Sequence, residues 1–241
     1  MTSLSETLLK ARENQTIAQI SEDDLPRDHI QAYACSLAQM EEIGAWKIGG
    51  ANPWSRSVFD NREVFFGPLH PREIFLEDDH LPLEGLVAPL AEPEVMLEIG
   101  DPRSDCMAER FVRMALGFEI PATVLPECLK PQFMAQISDR GGAGAVWISA
   151  IQPFDEDLLA HGFEIQLSKN AAAPVRGSSD NVINGPLGAA EEFFRLAPKY
   201  DMPVAAGQWI ASGGLCPALP VVSGDTLELE AWGQVLRLRF S

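Results

Sequence analysis

The stretch from Ala88 to Gly100, APLAEPEVMLEIG, limits what this chain can fold into more than any other. Its alternation has the period of a strand, whose side chains point to opposite faces in turn. Glu92, Glu94, Met96 and Glu98 then share one face, and Val95, Leu97 and Ile99 the other. The second face is oily and asks for a core. The first is a ladder of negative charge, and like charges side by side repel. Relief must come from solvent, from a cation, or from carboxyls with a raised pKa.

Turn residues decide how such strands are joined. The chain has 19 Gly and 18 Pro and few aromatics, which divides it into many short elements and points to a β-rich fold. A hydrophobic content of 46% over 241 residues is enough for a sizeable core. A net charge of −17 argues against nucleic acid or an anionic membrane as partner. The same charge suits cations, and as a bulk property it serves solubility. Cys35, Cys106, Cys128 and Cys216 stand far apart with no C-x-x-C pair, so a zinc site is not expected. The start, MTSLSETLLKAREN, has no apolar signal core, and no apolar run reaches bilayer length. A cytoplasmic protein with reduced cysteines is the expectation.

SLSETLLKAREN reads as a short helix. A second follows in DHIQAYACSLAQMEEIG, with Ile30, Tyr33, Ala34, Leu37 and Met40 on one face and Gly44 as its stop. AWKIGG is a short strand. Residues 51–76, rich in Pro, Arg and aromatics, read as a long ordered loop or lid. DCMAERFVRMAL suggests a helix, GFEIP an extended piece, and GAGAVWISAI a buried strand or strand pair. FEIQLSKN alternates with Phe163, Ile165 and Leu167 inward. A helix should begin at Asn184–Gly185–Pro186, with Leu187, Ala190, Phe194 and Ala197 on its apolar face. The chain closes on a turn, a strand, a tight Gly-containing turn and a last strand.

AWKIGG, APLAEPEVML and GFEIP occur in an order that resembles the 2-keto-4-pentenoate hydratase / 4-oxalocrotonate decarboxylase branch of the fumarylacetoacetate hydrolase superfamily. The run from SKNAAAPVRG through NGPLGAAEEFF to LCPALPVVSGD resembles that branch's closing segment, and TIAQISEDDLPRDHIQAYA its helical start. The likeness covers nearly the whole chain. It implies an α+β fold, a mixed β-roll with helices outside. The organisation expected is a helical arm over residues 1–45 and a β-rich catalytic-type unit over 46–241. It also implies a Mg²⁺ or Mn²⁺ site at Glu92, Glu94 and Glu119, with an α-keto acid taking the open positions. Lys47 matches a family lysine that handles protons or holds substrate. A buried amine near a metal is expected to have a lowered pKa.

The chain departs from the family in three places. The family has an aspartate after the F-G step, where FFGPLHPREIF offers only His70, Pro71 and Arg72. His70 is the candidate to replace it as acid or base. In ISDRGGAGAVWIS, Asp139 matches, but Arg140, Gly142 and Ala143 replace an asparagine and two serines. In SGGLCPALPV, Ser212 and Gly213 remain as substrate-binding candidates, while Gly214 and Cys216 replace hydroxyl residues. Arg140, Arg56, Arg62 or Arg72 could grip a second acidic group on the substrate.

The function expected from this reading is a divalent-metal-dependent lyase, a hydratase or decarboxylase of divergent site. It would act on a small 2-oxo or 2-hydroxy-dienoic acid from aromatic catabolism. Hydration needs a placed water and a distal proton donor, so the missing aspartate weakens it more than decarboxylation. An acylpyruvate-type C–C hydrolase and a non-catalytic relative serving as a binding or partner subunit remain open. A homo-oligomer, or a complex with a related subunit, is expected.

Overall fold

In the computed structural model, which describes residues 3–241, the carboxylate-bearing stretch is a strand over Leu90–Ile99. In chain order the strands are β1 (Ala45–Gly49), β2 (Phe65–Leu69), β3 (Ile74–Leu76), β4 (His80–Leu81), β5 (Leu90–Ile99), β6 (Phe111–Pro121) and β7 (Ala143–Pro153). There follow β8 (Glu164–Lys169), β9 (Val175–Ser178), β10 (Trp209–Ala211), β11 (Leu219–Pro220), β12 (Thr226–Ala231) and β13 (Gln234–Phe240). One sheet runs β2-β1-β10-β5-β6-β7-β3, with β11 added to β5; the other runs β4-β13-β12-β8-β9. Both are mixed: β1/β10, β3/β7 and β4/β13 are parallel and the remaining pairs antiparallel. The helices are short and lie around the sheets: α1 (Leu4–Glu13), α2 (His29–Leu37), α3 (Pro53–Phe59), α4 (Met107–Arg110), α5 (Phe133–Ser138), α6 (Glu156–Ala160) and α7 (Gly185–Leu196). The class is α+β, as expected. No helix among the described residues is long and apolar enough to cross a membrane.

The alternation of β5 is real, but from Pro93 to Ile99 neither face meets solvent. Val95, Leu97 and Ile99 enter the main core with Leu116, Phe118 and Ile210. Met96 enters a second, smaller core with Ala115, Ile148, Trp209 and Ala211. Glu98, also buried, is held by the guanidinium of Arg113. A strand sealed on both sides there cannot leave Glu94 and Glu98 to water, so solvent is removed as a source of relief for those two, while Glu92 keeps partial exposure.

Several local readings are corrected. Helix α2 ends at Leu37 and Ile30 is 66% exposed. The amide of Gln39 donates to Cys35 O and Ser138 O and fixes the chain as it leaves the helix. Gly44 stops no helix. It lies against Pro71, whose Cα a side chain at 44 would approach to 2.9 Å. The supposed loop over 51–76 holds α3, β2 and β3. Asn52 caps α3 by accepting from the Ser55 amide, and Pro53 fills its first turn, where no N–H is needed. The expected helix after Asp105 is one turn, and Phe111–Pro121 is strand. In α7 the buried face is Ala189, Ala190, Phe193 and Leu196, about one position off the face expected. The closing hairpin is as expected: Trp232 and Gly233 both take positive φ, as a two-residue turn requires.

Helix α1 is tied to the body. Leu8 and Ala11 pack with Val124, Leu125, Leu129 and Ala135. Arg12 donates to Ala122 O and Ala143 O and pairs with buried Asp139 at 2.7 Å.

Candidate metal centre

Antiparallel pairing sets Glu92 of β5 directly opposite Glu119 of β6. Glu94, two residues along β5, shares their face. One oxygen from each of the three carboxylates falls within 4.8 Å of the others. Glu94 and Glu119 are each 1% exposed, whereas Glu92 opens into a cleft of about 300 Å³. The Oε1 of Glu119 is buried without a hydrogen-bond partner.

Lys47 reaches the same place from β1. Its ammonium donates to Gly141 O at 2.9 Å and lies 3.5 Å from Glu119 Oε2. Burial alone would pull its pKa down, but Glu119, Glu92 and Glu94 together outweigh burial and hold it above the ordinary value. This reverses the sign expected from sequence, because a lysine facing three carboxylates gains more from them than it loses to burial. The carboxyls move up as well. Burial pushes Glu119 to about 8, with Lys47 pulling against it and Glu92 adding to it. Glu94 stands well above the ordinary range for want of solvent and through Glu119 and Glu92, and Glu92 is raised by burial. Without a cation the cluster resists full ionisation.

Three hard oxygen donors around a buried, unpaired carboxylate oxygen fit a divalent ion such as Mg²⁺ or Mn²⁺. The loop after β10 completes the wall. The Gly213 amide donates to Glu94 Oε2 at 2.7 Å and so orients a carboxylate. Ser212 donates its amide to Val95 O, while its hydroxyl is buried and unpartnered. Gly214, read from sequence as a lost hydroxyl, has a steric reason. A Cβ there would stand 2.8 Å from Glu92 Oε2.

His70 and Arg140 are not brought to this cleft. Both line a separate cavity of about 360 Å³ beside α1, together with Arg12, Arg72 and Glu73. His70 caps the turn at 71–73, its amide bonding Glu73, and burial lowers its pKa. The Arg140 side chain donates to Pro68 O and is clamped by Glu73. Arg56 is occupied by Gly50 O and Glu192. What residues 140–142 offer the cleft is backbone: Gly141 supplies the carbonyl that holds Lys47. Sequence reading missed that role, although the R-G-G run was its signal. Arg140, Gly141 and Gly142 all take positive φ, and the turn passes so near β2 that a Cβ on Gly67 would stand 1.6 Å from Arg140 O.

The two mixed sheets, the strand pair carrying the carboxylates and the outer helices define the fold of the fumarylacetoacetate hydrolase superfamily, and the resemblance read from sequence is borne out. The particular likenesses lie in its hydratase and decarboxylase branch. A 4-oxalocrotonate decarboxylase from Pseudomonas putida G7, solved with magnesium and adipate, superposes with a TM-score of 0.86 at 18% identity, over 99% of this chain and 96% of that one. A 2-oxo-hept-4-ene-1,7-dioate hydratase of Escherichia coli is 24% identical over 206 residues, 80% of this chain and 77% of the relative. A fumarylpyruvate hydrolase from Pseudomonas aeruginosa, solved with Mn²⁺ and pyruvate, is more distant, with a TM-score of 0.60 at 14% identity over 81% of this chain and 88% of that one. No protein-family model matches the chain.

Proposed function

We propose that the chain is a divalent-cation-dependent lyase that adds water to, or removes carbon dioxide from, a small 2-oxo or 2-hydroxy-dienoic acid. The convergence of Glu92, Glu94 and Glu119, with Glu92 and Lys47 lining a cleft, carries this reading. The three glutamates would hold Mg²⁺ or Mn²⁺. Such an ion supplies a Lewis acid for the charge that develops at the head of an α-keto acid. The chain's own groups do the rest. The Gly213 amide fixes Glu94, and the Gly141 carbonyl fixes the Lys47 ammonium, which can give a proton to the substrate or balance its charge. Acids of this class arise when aromatic rings are opened oxidatively, and a role in aromatic catabolism follows from the reading.

The relatives are a decarboxylase, a hydratase and a hydrolase, two of them solved with a divalent ion, which supports the reading. The hydrolase alternative calls for a histidine near the cations and finds none in this cleft. His70 lines the other cavity, and His80 lies exposed on β4 in the second sheet. The test is calorimetry with Mg²⁺ and Mn²⁺, with and without oxalate, on the native chain and on Glu94→Gln. The native chain should bind the ion, oxalate should tighten it, and the variant should lose about 10- to 100-fold in affinity. If neither ion nor oxalate binds at about millimolar levels, the non-catalytic reading replaces this one.

A further inference from the structure

Resting on the reading above, we infer that Arg12 of α1 is a positioning residue for the metal centre: it pins the turn whose Gly141 carbonyl keeps Lys47 from closing on Glu119. The guanidinium spans three segments that converge at that turn. One terminal nitrogen donates to Ala122 O, just past the end of β6, at 2.9 Å, and to Ala143 O, at the start of β7, at 2.8 Å. The other donates to Asp139 Oδ1 at 2.7 Å. A planar fork can bridge several fixed oxygens at once, which a single ammonium cannot. Asp139 is fully buried and passes the restraint on. Its second carboxylate oxygen accepts from the Thr123 hydroxyl and the Val124 amide, and its carbonyl accepts from the Gly142 amide at 2.8 Å. The Gly142 carbonyl in turn accepts from the Ala122 amide at 2.8 Å. Gly141 is the crest of this closed ring of bonds. Its carbonyl takes the Lys47 ammonium at 2.9 Å, and a Cβ on it would stand 3.2 Å from Lys47 Cδ.

The turn needs such a restraint. Arg140, Gly141 and Gly142 all take positive φ. Successive left-handed residues persist only where their surroundings over-determine them. Glu73 clamps the Arg140 side chain, and Arg12 holds the flanks at 122, 139 and 143. Without Arg12 the crest relaxes and Lys47 loses its carbonyl acceptor. The carboxylate oxygen next to it is Glu119 Oε2, 3.5 Å away. The ammonium then closes on a group that the cation needs, and the cation must displace it to bind.

The experiment is a double-variant cycle on the full chain, read by Mg²⁺ calorimetry: native, Arg12→Met, Lys47→Met and the two together. By Coulomb's law alone, loss of a positive charge strengthens the binding of a cation. The inference requires the opposite sign. Arg12→Met should weaken Mg²⁺ binding by about tenfold, the lower end of the loss seen when an outer partner of a metal ligand is removed. In the Lys47→Met background the same change should leave the affinity within about twofold, because no ammonium remains to fall onto Glu119. Arg12→Met also leaves buried Asp139 without its ion-pair partner. If that chain does not fold, Arg12→Lys, which keeps a charge beside Asp139 but not the fork, carries the same cycle with the same pattern expected. An equal loss in both backgrounds, or no loss in either, overturns the inference and leaves the lyase reading standing. If neither the native chain nor Lys47→Met binds Mg²⁺, the metal reading falls and the inference falls with it.

Discussion

At the scale of single residues, Lys47 and the cation of the proposed function would compete for the same carboxylates. The ammonium sits 3.5 Å from Glu119 and supplies the positive charge when no ion is present. Lys47→Met should therefore abolish turnover yet tighten Mg²⁺ binding by about tenfold, since one repelling charge at short range in a shielded site is worth ~1 kcal/mol or more; calorimetry on the variant measures it. The carboxyls give a stability signature with a fixed sign. Glu119 has a folded-state pKa of about 8, above its unfolded value. Its protonated form favours the fold, fully below the unfolded pKa, and the contribution is lost as pH rises through about 8. In chelator, Tm should fall from about pH 4.5 to about pH 8 and level off above it, and saturating Mg²⁺ should oppose the decline because the ion binds the deprotonated forms. Glu92, Glu94, Glu119 and Lys47 were legible because strand alternation and motif order place them. His70 and Arg140 were not, because the side of a turn from which a side chain leaves depends on φ, and the left-handed φ of Arg140 leaves no mark in the residue's name.

At the scale of elements, the centre depends on a crossing. The turn at 140–142 rides over β2 at Gly67, and the Glu73 clamp on Arg140 holds it there. Arg140 is 1% exposed, so removing its partner strands a buried charge. Glu73→Ala should cost about 3–5 kcal/mol in denaturant unfolding, with an unchanged m-value. Glu73→Gln should cost less, because it keeps a hydrogen-bond acceptor. Elements whose signal is local were readable: the β12–β13 hairpin from its Trp-Gly turn, and α7 from its Asn-Gly-Pro start. The segment 51–76 was not, because aromatic and proline content masked the Asn-Pro cap that starts α3. Nor was the end of α2, which is fixed by a distant acceptor, Ser138 O, rather than by Gly44.

At the scale of the molecule, the order of motifs carried the fold, since two mixed sheets follow from no single periodicity. The sequence predicted one buried face for β5, whereas the molecule buries both, a property of the second core that only tertiary assembly creates. That double burial has a kinetic consequence. Glu94 and Glu119 lie behind Glu92, and the cleft is the route to them that the described residues leave open. If the cluster holds an ion, as proposed, traffic through one opening would be ordered, the ion arriving before the acid and departing after it. Stripping of Mn²⁺ by excess chelator, followed by the metal's paramagnetic signal, should therefore slow in proportion to the occupancy of oxalate. On that reading, product release would be the clock that sets how long each ion resides.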